Sequence, residues 1–167
     1  MNRDTSWRWL LLINLAAAFC NVGAALLAQL NWQLWGYVGN DQFEAYHFAW
    51  WHGIWWALFP VAGLALIGIF LQLKWRPPNV PLVALWLAVI LQIIIYAGTI
   101  LWWGPGQAQL TIIHMPDGSL NPAYTNLRDS NWIRVILFMV SGILQGWIGL
   151  RCFGLSTRPI ADPFGQH

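Results

Sequence analysis

The chain has 167 residues, of which 58% are hydrophobic and only 8% are charged. An ordinary soluble domain carries about 25% charged residues, so this composition excludes one, along with the broad basic surface that a nucleic-acid partner needs. The net charge of +2 says little; the placement of the charges says more.

No Asp, Glu, Lys or Arg lies between Arg8 and Asp41, between Glu44 and Lys74, between Arg76 and Asp117, or between Arg134 and Arg151. A helix crossing a bilayer needs roughly 20 mostly apolar residues. Four spans are predicted, over 9–30, 47–73, 81–103 and 132–153. The expected fold class is therefore all-α, a polytopic integral membrane four-helix bundle. It forms one domain over 1–155, followed by a loosely ordered tail over 156–167.

The first span follows Arg3 and Arg8, as a secretory leader would, but its apolar run continues past any small-residue cleavage site and reads as a retained helix. "NWQLWGYVGN" suits an interfacial turn. Asn40 or Asp41 can cap the second helix, and Asp41-x-x-Glu44 has capping-box spacing. "KWRPP" closes that helix. Pro81 opens the third, where a missing N–H costs least, and "WWGPG" is expected to stop it.

The outer loop 104–131 is long, which often marks function. Pro116-Asp117-Gly118 predicts a turn within a short hairpin, and Asn121-Pro122 predicts a capped short helix before the last span.

Arg3, Arg8, Lys74, Arg76, Arg151 and Arg158 fall on one side of this arrangement, against Arg128 and Arg134 on the other. The positive-inside rule then places both termini in the cytoplasm. Cys20 and Cys152 sit at different depths and are expected to stay unpaired.

Polar residues inside the spans recur on single faces: Asn14, Asn21 and Gln29; then Gln92, Tyr96 and Thr99; then Arg134, Ser141 and Gln145. Such residues turn away from lipid into the bundle. Gly142, Gly146 and Gly149 form a smooth stripe suited to a membrane-protein partner.

The stretch "DQFEAYHFAWWHGIWW" concentrates the chemistry at the outer end. Glu44-x-x-His47 has the spacing of di-iron ligands, but one such motif is insufficient for that site and capping accounts for Glu44. His47 and His52 diverge by about 140° on a helix, which argues against a ligand pair. No metal set is assigned, and the cofactor is unknown. Glu44, His47, Asn131 and Arg134 are expected to face one another near the outer surface. His47 would be a base or a ligand partner, Arg134 an anion or oxyanion stabiliser and Asn131 an orienting group. Glu44, Tyr46, Trp51, Gln92 and Tyr96 are the candidate ligand-binding residues. The four tryptophans at 50, 51, 55 and 56 form either an interfacial belt or an aromatic wall for a flat lipophilic ligand.

The order "YVGNDQFEAYH", "RPPNVP", Gln92, Thr99, "GPGQAQL" and "SNWIRV" resembles small four-helix bacterial membrane proteins similar to the anthrone-oxygenase-like family. The likeness covers about residues 22–151, with Tyr46-His47 and Asn131-Trp132-Ile133-Arg134 as its most specific pieces. It implies a four-helix membrane bundle and, for some relatives, oxygenation of aromatic polyketides. Val135 departs from the Thr common at that place in the pattern. Two functional classes follow: a small-molecule site at the outer end of the bundle, for which the resemblance implies oxygenase-like chemistry, or an accessory subunit of a larger photosynthetic or respiratory membrane complex.

Overall fold

The computed structural model describes residues 3–153, without side chains for residues 3–5 and Trp55. The tail expected over 156–167 lies outside the described residues. In chain order the elements are α1 (Arg3–Leu34), a 3-10 turn (Trp35–Tyr37), α2 (Asn40–Ala57), α3 (Phe59–Lys74), α4 (Leu82–Gly98), a π turn (Thr99–Trp103), α5 (Gly104–Ala108) and α6 (Pro122–Cys152). Four segments are long and apolar enough to cross a membrane: Ser6–Tyr37, Asn40–Lys74, Leu82–Ala108 and Pro122–Cys152. The architecture is all-α among the described residues.

α1 packs against α6 and α3, and α4 closes the ring against the same two helices. A cluster at one end joins Leu11, Val80, Leu85 and Ile148, which brings Arg8, Lys74 and Arg151 to that end. A second cluster joins Trp32, Trp35, Phe43, Trp103 and Tyr124 at the other. The helices therefore alternate in direction.

The distribution of polarity is inverted relative to a soluble bundle. Leu27, Val83 and Ile143 are 68–69% exposed, while Asn14, Asn21, Gln29, Gln72, Gln92, Asn131 and Gln145 are buried. Several of the buried amides bond between helices: Gln92 Nε2 donates to Ser141 Oγ at 2.7 Å, and Gln72 Nε2 reaches Gln145 Oε1 at 3.4 Å. This matches the sequence expectation that these faces turn inward. Gly142 lies against α1, where an added Cβ would come 3.1 Å from Val22. Cys20 is exposed and Cys152 buried, both as free thiols.

Four boundaries differ from expectation. The second helix begins at Asn40, close to the start expected from an Asn40 or Asp41 cap and ahead of the span's 47, but its N-cap is Gly39 with no side-chain cap bond, so the Asp41/Glu44 capping box does not form. Asn40 instead reaches across to the hairpin: its Oδ1 accepts from the amides of Ile113 and His114, and its Nδ2 donates to His114 O. The same span is broken at Leu58 between α2 and α3, where Pro60 cannot donate to the Trp56 carbonyl.

The third span does not stop at "WWGPG". The backbone widens into the π turn, the Gly104 amide bonds back to Thr99 O, and Pro105 enters the first turn of α5. A π turn places the proline ring clear of the carbonyls it would otherwise strike. Gly104 is needed there, since a Cβ would stand 2.8 Å from Thr99 O. Finally, the short helix expected after Asn121 is continuous with the last span. Asn121 Oδ1 caps it by accepting from Ala123 N. The remaining loop holds the expected hairpin, with a His114–Leu120 bridge and Gly118 at φ 84.

Candidate functional site

A cavity of about 380 Å³ lies between α2 and the α1, α4 and α6 helices. Small residues of α1, Ala24, Ala25 and Ala28, make one wall. Trp50, Trp51 and Ile54 of α2 face them, with Phe59 of α3 below. α4 and the π turn supply Tyr96 and Thr99, α5 supplies Gln107, and α6 supplies Arg134 and Phe138. All four spans therefore contribute, and the lining is predominantly apolar and aromatic. Such a cavity with a few convergent polar groups is the usual form of a small-molecule site.

Arg134 is the one charged residue of the lining. Its guanidinium lies 5.2 Å from the Trp32 ring and 5.5 Å from the Trp103 ring. Its Nε is buried without a hydrogen-bond partner. Among the described residues the sole ion pair is Arg128–Asp129 at 2.8 Å, so no carboxylate neutralises Arg134.

The cage around it is built from several elements. Tyr124 of α6 donates to Trp32 O at 2.7 Å, which fixes the end of α1. Trp103 donates to Ser130 Oγ at 3.3 Å and packs over Gly98, where a Cβ would come 2.6 Å from its ring. Trp35 stands edge-on to Trp50 at 5.1 Å and 5.7 Å from Trp32.

Two carboxamides add to the polar lining. Asn21 and Gln107 are buried, and the amide nitrogen of each lacks a partner. Tyr96, by contrast, is engaged: its hydroxyl donates to Ala62 O at 2.5 Å. Thr99 donates to Ile95 O at 2.8 Å.

The expected Glu44–His47–Asn131–Arg134 cluster is only partly assembled. Asn131 and Arg134 stand one turn apart on α6. Asn131 is buried and donates to Gln29 Oε1 at 2.6 Å, while Gln29 Nε2 reaches Arg128 O at 3.2 Å, so Asn131 clasps α6 to α1. Glu44 is exposed and makes no ion pair. The inward side of α2 is taken by Phe43 and Trp50, which pack against Trp35, and Glu44 is left on the exposed side. His47 is half-buried, stacked on Phe43 at 5.3 Å and edge-on to Trp35 at 5.2 Å, and its Nε2 is buried without a partner. It is not part of the cavity lining and is linked to it through the Trp35 and Trp50 rings.

Of the candidate ligand-binding residues, Trp51 and Tyr96 line the cavity. Gln92 lies a turn deeper, bonded to Ser141. Tyr46 is exposed and donates to Asn31 Oδ1 at 2.6 Å. His52 turns to the Phe48 carbonyl at 3.0 Å, and His114 belongs to the hairpin. Among the described residues no group of three or more His, Cys, Asp or Glu is placed to share a metal ion.

The sequence reading missed the indole cage. Trp32 and Trp35 follow Gln29 at three-residue steps, on the face already marked as inward by Asn14, Asn21 and Gln29, and that periodicity was the available signal. Trp103 is brought to Arg134 by the π turn, which no local pattern announces. No family model, characterised protein or solved structure matches the chain. Its functional reading therefore rests on this geometry.

Proposed function

We propose that the chain is a multi-pass membrane protein that binds a small lipophilic ligand, with an aromatic or otherwise flat apolar body, in the cavity between Trp50, Tyr96 and Arg134. The single observation that carries this reading is the cavity itself: about 380 Å³, walled by aromatic and small apolar side chains, with one unneutralised guanidinium in its lining. A core without a ligand role would close such a space, since interiors pack to crystal-like density. Arginine at membrane depth costs about 2.5–3.5 kcal/mol even on the most lenient scales, so its retention in the cavity wall argues for use.

In this reading the Arg8, Lys74, Arg76 and Arg151 end faces the cytoplasm and the cavity opens in the opposite half of a bacterial inner or thylakoid-type membrane. The resemblance to anthrone-oxygenase-like proteins extends the proposal to an oxygenase-like reaction on the bound ligand. Arg134 would then stabilise negative charge developing on a ligand oxygen, and Asn131 would act as a positioning residue by locking α6 to α1. His47 would serve as a base only if the Trp35–Trp50 wall opened. The alternative, an accessory subunit docking through the glycine stripe, gains little support, because Gly142 and Gly149 are buried within the chain.

The test is occupancy of the cavity. Protein in detergent should be stabilised against thermal unfolding, saturably, by 2-naphthoic acid or by its methyl ester. Ala24→Phe, which fills the α1 wall, should remove the effect while the variant still folds. Stabilisation by both compounds that survives in Ala24→Phe would place binding elsewhere and refute the proposal.

A further inference from the structure

We infer that the ligand is a lipophilic weak acid, whose anionic oxygens meet Arg134 while its apolar body lies between the α1 alanines and the α2 tryptophans. This rests on the cavity being a ligand site, as proposed above, and adds the charge of the occupant.

Three observations point the same way. First, the cavity wall holds a cation and no acid: no Asp or Glu contributes to the lining, and the acids at that end of the bundle, Asp41, Glu44, Asp117 and Asp129, are exposed. Asp129 is engaged with Arg128. The counter-charge for Arg134 is therefore not supplied by a described residue.

Second, the guanidinium is held rather than free to leave. It lies over two indole rings; Tyr124 holds the Trp32 backbone at the end of α1, and Ser130 and the close approach of Gly98 fix the Trp103 ring. An arginine that only needed relief would extend toward the interface; this one is retained beside an apolar space. Cation–π contact leaves the N–H edges available, so the rings and an anion can be satisfied together.

Third, Asn21 and Gln107 are 4% and 3% exposed, and the amide nitrogen of each lacks a partner while the residue lines the same cavity. A buried amide without a partner is costly, and a ligand oxygen would relieve it. A neutral hydrocarbon would satisfy neither the amides nor the charge. A carboxylate or an acidic enol or phenol on an apolar body would satisfy both.

The experiment compares 2-naphthoic acid with its methyl ester, which shares the body and lacks the charge. Binding is measured near neutral pH to the full chain in phosphatidylcholine nanodiscs, by equilibrium dialysis against empty discs. The acid should bind the protein at least about tenfold more tightly than the ester, the difference expected of one charge-assisted contact. Arg134→Gln should bring the two to parity by weakening the acid alone, and Arg134→Lys, which keeps the charge should the glutamine variant fail to fold, should preserve the order acid over ester.

Equal affinities in the wild type would overturn the inference and leave the cavity reading standing. Binding of neither compound would overturn both. Discs containing phosphatidylglycerol separate a free acid from a lipid headgroup. Unchanged preference for the acid supports the inference, and its loss there would reassign Arg134 to an anionic lipid and overturn it.

Discussion

Arg134 and Glu44 illustrate how residue type and placement separate. Both are charged groups at the same end of the bundle, and pairing them is the economical reading of the sequence. The structure gives Glu44 to the surface and surrounds Arg134 with indoles. Glu44→Ala should accordingly change the thermal stability by no more than about 0.5 kcal/mol, as for other partnerless surface sites. Asn131→Ala should cost about 1–2 kcal/mol in the same unfolding measurement, because it strands Gln29 Oε1 in the interior. If Glu44→Ala were the more damaging of the two, the arrangement of the outer end would be wrong. The inward polar faces were legible because an amide on an apolar helix has few alternatives to the bundle interior. The pairing of Arg134 was not legible, since it depends on which rings arrive from two other segments.

At the scale of the elements, two prolines set the site. Pro60 interrupts the helical bonding of the second span between α2 and α3; Pro105 is absorbed by the π turn that brings Trp103 over Gly98. Helix existence was readable from uncharged runs of residues, whereas continuity through Pro105 was not, because a proline after tryptophans and glycine reads locally as a stop. Gly98→Ala should displace Trp103 and lower stability by about 1–3 kcal/mol, the range for overpacking a filled site. It should also weaken ligand binding, since Trp103 helps hold Arg134. A substitution at Gly63, which has open space beside its Cα, should do neither.

The hairpin offers a pH-dependent counterpart. Ser119 donates its hydroxyl to Asp117 Oδ1 at 2.7 Å and its amide at 2.9 Å, which holds the Asp117 carboxyl below the usual carboxylate range. A depressed value means that this support is present above the unfolded pKa of about 3.9 and is lost as pH falls through the folded value. The protection factor of the Ser119 amide against hydrogen exchange should fall over that acidic window. Asp117→Asn should show no comparable pH step.

For the whole molecule, the inverted polarity and the four long apolar segments were both written in the composition and the charge gaps. The cavity was not, because its lining is gathered from all four spans, which no local pattern of residues brings together. The orientation has its own check. With Cys20 and Cys152 replaced, a cysteine at Ser119 should label from outside intact cells, and one at Asn79 should not; the reverse pattern would invert the topology. The central claim, that the cavity holds a ligand against Arg134, is tested most directly by a density map of protein purified in mild detergent from its native membrane. The account predicts non-protein density between Trp50, Tyr96 and the α1 alanines, with its polar end within hydrogen-bond distance of the Arg134 guanidinium. A map with Trp50 and Trp51 collapsed to fill the space, and Arg134 turned out toward the headgroups, would contradict it.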